Sequence, residues 1–160
     1  METKTTIVIT SLNQDDLVTL FSCAIDGSER FDVVANDREG VDIKEDDCRE
    51  DVWAKCLLAG KKVVCIDYYA EGEHYGPNEN YAIDPDDESC EYTIGLEDIV
   101  KGLQKCAEGT FKHDNDKYGT GEVEWLAECF KHLKDGGYDL DLPEADALLQ
   151  VILFDELIYG

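Results

Sequence analysis

Thirty-eight Asp and Glu side chains stand against 14 Lys and Arg in a chain of 160 residues, a formal net charge of -24. An unpaired carboxylate is too costly to desolvate. Any fold must therefore keep nearly all of these acids at its surface and build its core from what is left. What is left suffices: 43% of the residues are hydrophobic, with 2 Trp, 8 Tyr and 5 Phe, which excludes the disordered class. The length fits one domain. With 3 Pro and no Pro/Ser-rich linker, nothing divides it.

The charge also bounds the partners. A folded chain of this mass exposes roughly 8,000 Å², or about one acid per 210 Å². B-DNA carries about one phosphate per 110 Å² of its cylinder. Averaged over the surface the acids are half as dense as phosphates, and acids gathered on one side would reach DNA-like density. The alternative is a surface whose charge serves solubility alone. Direct nucleic-acid binding is disfavoured, because Arg30, Arg38 and Arg49 are the only guanidinium forks. The expected partner is basic: a nucleic-acid-binding protein, a cation or a cationic ligand.

Seven cysteines (Cys23, Cys48, Cys56, Cys65, Cys90, Cys106 and Cys129) form an odd set, and METKTTIVIT lacks a long apolar signal segment. Free thiols in a reducing cytoplasm are expected. No run of about 20 apolar residues is present, so no membrane span is expected.

Hydrophobic periodicity places the elements. Thr5 to Thr10 reads as a strand. Asn13 caps a helix with Leu17, Leu20, Phe21, Ala24 and Ile25 inward, stopped by Gly27. Phe31 to Ala35 suggests a short strand, and residues 36 to 51 are acid-rich and aperiodic. A helix over about Cys48 to Ala59 turns Val52, Trp53, Cys56 and Leu57 inward. Lys61 to Ala70 and Cys90 to Ile94 read as a hairpin with a long polar loop over 71 to 89. Helices follow over Leu96 to Glu108, over Val123 to Leu133 with Trp125, Leu126, Cys129, Phe130 and Leu133 inward, and from Pro143 to about Ile158. This order predicts an α+β fold: a single domain with a small, mainly antiparallel sheet packed with about five helices.

Motifs for catalysis are absent. The sequence has no G-x-S-x-G elbow and no P-loop or dinucleotide-binding glycine pattern. Chance carboxylate pairs are inevitable among 38 acids and carry no information. No C-x-x-C pair offers structural zinc its close ligands, and the cysteines read better as small buried residues. Asp114 to Glu122 begins like an EF-hand loop, but Trp125 stands where the twelfth position needs a bidentate Glu. A turn is the better reading. The expectation is a binding protein, not an enzyme, with no cofactor and no metal.

Three acid groups exceed what helix capping requires: Asp42, Glu45, Asp46, Asp47, Glu50 and Asp51; Asp84, Asp86, Asp87, Glu88 and Glu91; and Asp135, Asp139, Asp141, Glu144 and Asp146. Each falls in a loop or at a helix start, where acids project. Together they suggest a phosphate-like array for Arg- and Lys-lined grooves.

Three segments carry a resemblance: LNQDDLVTLFSCAIDGS, LEDIVKGLQKCAEG and EADALLQVILFDELIYG. Nearly the full chain resembles a family of small acidic proteins of phages and other mobile elements of gut bacteria. Members share an early acidic helix ending near glycine, a middle K-G-containing helix, and a final D-A-x-x-Q-x-x-L-F segment ending in tyrosine and glycine. Here Asp155 follows Phe154 where the pattern has glycine. The resemblance implies a counter-defence protein, such as an anti-CRISPR inhibitor of a type II CRISPR nuclease. Such a protein would be cytoplasmic, a monomer or dimer, blocking a basic nucleic-acid channel. The alternatives are an accessory protein with no inhibitory role and a calcium-binding domain.

Overall fold

Helix boundaries in this chain are set by side chains that satisfy free backbone amides. A computed structural model describes residues 12–26, 28–113 and 121–159. The expected strand Thr5 to Thr10 and most of the EF-hand-like stretch lie outside them. Among the described residues the elements are α1 (Gln14–Ile25), β1 (Phe31–Asn36), α2 (Arg49–Leu58), β2 (Val63–Asp67), β3 (Tyr81–Asp84), β4 (Ser89–Ile94), α3 (Leu96–Glu108), α4 (Gly121–Lys134) and α5 (Leu142–Phe154). At the start of α1 the Asn13 side chain accepts from the Asp16 amide at 2.8 Å, and Asp16 accepts from the Asn13 amide at 3.1 Å. Asp141 and Glu144 repeat this reciprocal box at α5, at 2.9 and 3.1 Å. Asp98 accepts from the Gly95 amide before α3, and Gly109 ends that helix in the left-handed region at φ 73°.

The four strands form one antiparallel sheet in the order β1-β2-β4-β3. Phe31, Val33, Val63, Cys65, Asp67, Cys90, Tyr92 and Ile94 alternate onto one buried face, whereas Val64, Glu91 and Thr93 are half-buried. The expected pairing of 61–70 with 90–94 forms as β2 and β4. The loop expected over 71–89 contains the edge strand β3, whose four residues are all exposed.

The last helix is the hub. α5 touches α1, α3 and α4. From Glu144 to Phe154 every residue except Asp146 is buried. Its close neighbour α3 is admitted by Gly102, where a Cβ atom would lie 2.6 Å from the Ile152 Cα. Phe154 then meets Phe31 of β1 and Tyr92 of β4 at ring-centroid distances of 6.1 and 5.5 Å. Helix and sheet are thereby joined in one core.

Two expectations need correction. α5 ends at Phe154, not near Ile158, because Asp155 takes up a left-handed conformation at φ 61° as its C-cap. Asp tolerates this region better than most non-glycine residues. Trp125 does not enter the core: it is 39% exposed, at the edge of the buried stripe of Leu126, Cys129, Phe130 and Leu133.

Candidate partner-binding surface

The fold uses about half of the candidate acids itself. In the first group Lys55 holds Asp47 at 2.6 Å, and the Lys44 amide donates to the same carboxylate at 2.8 Å. The lysine hydrogen bond is the main reason the Asp47 carboxyl sits below its usual value. Asp51 accepts from Gln14 at 3.2 Å and from the Cys48 amide at 3.3 Å. It too is lowered, chiefly by the thiol of Cys48. Glu50, expected to project, is instead buried and bonded to the Arg49 guanidinium at 2.9 Å. Asp42, Glu45 and Asp46 remain exposed on the connection into α2.

In the second group Asp84 accepts from the amides of Asp86 and Asp87 at 3.0 and 3.4 Å, shaping the tight turn between β3 and β4. This turn presents Asp86, Asp87 and Glu88 to solvent, while Glu91 is half-buried on β4. The strand register puts it at the sheet end where β2 finishes at Asp67. The 37–48 connection leaves from the opposite end, after Asn36.

In the third group Asp141 caps α5, as described. Glu144, also expected to project, is buried and accepts from His132 at 3.0 Å. Asp146 pairs with Arg30 at 2.9 Å and accepts from Gln150 at 2.6 Å. Asp135 and Asp139 stay exposed in the turn between α4 and α5, beside Tyr138, which is 96% exposed.

A polar network missed by the sequence reading ties the 155–159 segment to the fold. Buried Gln150 accepts from the amides of Ile158 and Tyr159 at 2.8 and 2.9 Å, and donates to the Tyr159 carbonyl at 3.2 Å. The Tyr159 phenol donates to Oδ2 of Asp67 at 2.7 Å, and the Tyr69 amide to Oδ1 at 2.9 Å. Burial raises the Asp67 carboxyl above its usual value, opposed by those donors and the charge of Arg30. The Arg30 guanidinium lies 4.5 Å from the Tyr159 ring centroid. The only sequence signal was the Asp146, Gln150 and Tyr159 pattern of the resemblance.

This network backs a cleft of about 500 Å³ between α1, α4, α5 and the 155–159 segment, within the volume range of ligand-binding clefts. Trp125, Leu142, Ala147 and Ile158 contribute its apolar lining; Asp26, Glu122 and Asp146 its carboxylates. Cys23 lies at its wall with a thiol pushed up by burial and then by the nearby charges of Asp141 and Asp26.

Among the described residues no three His, Cys, Asp or Glu are grouped to hold a metal ion. Cys56, Cys65, Cys90, Cys106 and Cys129 are buried free thiols, and burial pushes Cys65 and Cys129 up to about 12, which leaves them poor nucleophiles. No described helix is long and apolar enough to cross a membrane. No family model, no curated protein and no solved structure matches the chain.

Proposed function

We propose that the protein binds a basic nucleic-acid-handling enzyme and competes with its DNA or RNA, acting as an inhibitor and not as a catalyst. The target class is an RNA-guided nuclease of bacterial defence, met in the cytoplasm by the product of a mobile element. One observation carries the reading. After the fold has taken Asp47, Glu50, Asp51, Asp84, Asp141, Glu144 and Asp146 for its own bonds, exposed carboxylates still remain on three connections, at 42–46, 86–88 and 135–139. Carboxylates on turns can approach the arginine forks of a nucleic-acid channel as phosphates do. A net charge of -24 accelerates encounter with such a channel. The structural use of so many acids favours a second reading, in which the charge serves fold and solubility only.

A displacement assay separates the two. A guide-loaded type II CRISPR nuclease holding fluorescent target duplex is titrated with the protein at low salt. Release of the duplex, weakening as salt rises to physiological, is expected. Full retention of the duplex at a hundredfold excess of protein overturns the proposal.

A further inference from the structure

The two outer edges of the sheet are finished differently. On β1 the Tyr68 amide donates to the Arg30 carbonyl at 2.8 Å, so in the register that follows the amides of Phe31 and Val33 point away from β2. Both are satisfied locally: Phe31 donates to Ser28 Oγ at 3.2 Å and Val33 to Asp32 Oδ1 at 2.8 Å. The strand is also bulged between Val33 and Ala35, which further discourages pairing. β3 has neither protection. The Thr93 amide donates to the Asn80 carbonyl at 2.9 Å, so Ala82 and Asp84 bond to β4, whereas the N–H and C=O groups of Tyr81 and Ile83 point out of the sheet. Among the described residues nothing pairs with them, since β3 ends the strand order.

The side chains along this open edge differ between the two faces. Tyr81 and Ile83 lie across from Tyr92 and Cys90, on the apolar face of the sheet, and are 42% and 38% exposed. The Tyr81 ring is stacked on His74, at 3.7 Å between centroids and 3° between planes, and such ordering lowers the entropy lost on binding. On the other face Ala82 lies across from Glu91 and is too short to cover it. Glu91 and Glu79 line a shallow groove there. Neither has a cation partner among the described residues, and Lys62, the one cation lining the groove, pairs with Glu97 at 3.7 Å. Asp84 is exposed at the end of the strand.

We propose that β3 accepts a fifth strand from the partner protein, an extended antiparallel segment in which Lys or Arg alternates with aliphatic or aromatic residues. The apolar residues lie opposite Tyr81 and Ile83, exchange backbone hydrogen bonds with them and pack beside their side chains. The intervening cations point to the other face, towards Glu79, Asp84 and Glu91. A second copy of this chain is the poorer occupant, because β3 against β3 sets the same acids of two chains of net charge -24 side by side. This rests on the reading of the protein as a binder of basic partners, and gives that reading its backbone contact.

The alternation makes the test specific, because every amide that faces β3 belongs to an apolar residue of the added strand. Two capped peptides of alternating arginine and valine are titrated into the protein, one N-methylated at every valine and one at every arginine. Their side chains and charge are identical. The arginine-methylated peptide is expected to bind about tenfold more tightly, the scale of two backbone hydrogen bonds kept against two lost. It is also expected to slow amide exchange at Tyr81 and Ile83. Ile83→Pro removes an outward donor without touching the bonds to β4. This variant is expected to fold by circular dichroism and to bind the arginine-methylated peptide no better than the other. If the two peptides bind the parent protein equally with the same salt dependence, or if the preference is reversed, the strand proposal is overturned and the charge reading stands. A peptide-free dimer in which exchange at Tyr81 and Ile83 is already slow also overturns it, and gives the edge to a second copy. If neither peptide binds even at low salt, both fall.

Discussion

The Tyr159 phenol donates to Asp67 at 2.7 Å, joining residues 92 positions apart and closing the 155–159 segment onto the central strand β2. Asp67 is fully buried. Removing its phenolic donor leaves a desolvated carboxylate short of one partner, which costs about 1–3 kcal/mol. Tyr159→Phe is therefore expected to lower the urea midpoint with an unchanged slope. An unaltered midpoint would show that the segment contributes nothing to stability.

Leu149 lies in the middle of α5 with no exposed surface. Leu149→Ala removes its contacts and leaves a cavity among helices that touch α5 on several sides. The expected loss is about 2–5 kcal/mol. Thermal melting checks it, and an unshifted curve would remove α5 from the centre of the core.

His132 faces Glu144 at 3.0 Å and Glu128 at 3.5 Å. The hydrogen bond to Glu144 is the main reason its pKa is raised. A folded-state pKa above the unfolded value of about 6.5 means stabilisation fully present below that pH and lost as pH rises through the folded-state pKa. His132→Gln is expected to be less stable than the parent protein at pH 6, with the gap closing towards pH 9. A gap that widens with pH would contradict the assigned charge state.

The helices were legible because their signals are local. Asn13, Gly109 and Pro143 mark ends, and Leu17, Leu20, Phe21, Ala24 and Ile25 all fall on the buried face they predict. β3 was not legible. Tyr81, Ala82, Ile83 and Asp84 are all exposed at a sheet edge, so burial imposes no alternation to be read. The overrun of α5 has a similar cause, since Asp155 ends it without glycine or proline. The acid clusters were legible as clusters, but not the division of labour within them. Whether Asp47 projects or pairs depends on Lys55, and whether Glu144 is buried depends on His132 twelve residues earlier. The cleft required Leu142, Trp125 and Ile158 to meet from three segments, and no spacing in the sequence encodes that meeting.

The central claim is that exposed carboxylates, and not the whole charge, drive binding to a nucleic-acid channel. It is tested by association rates with a guide-loaded type II nuclease, measured against salt for the parent protein and three variants. One variant carries Asp42→Asn, Glu45→Gln and Asp46→Asn; one carries Asp86→Asn, Asp87→Asn and Glu88→Gln; one carries Asp135→Asn and Asp139→Asn. Among the described residues the one side-chain bond lost is the exposed pair of Asp42 with Lys44 at 3.4 Å, so the fold is expected to persist by circular dichroism. The account predicts that at least one variant associates several-fold more slowly at low salt, with a shallower salt dependence. Rates and salt slopes identical to the parent in all three variants would contradict it.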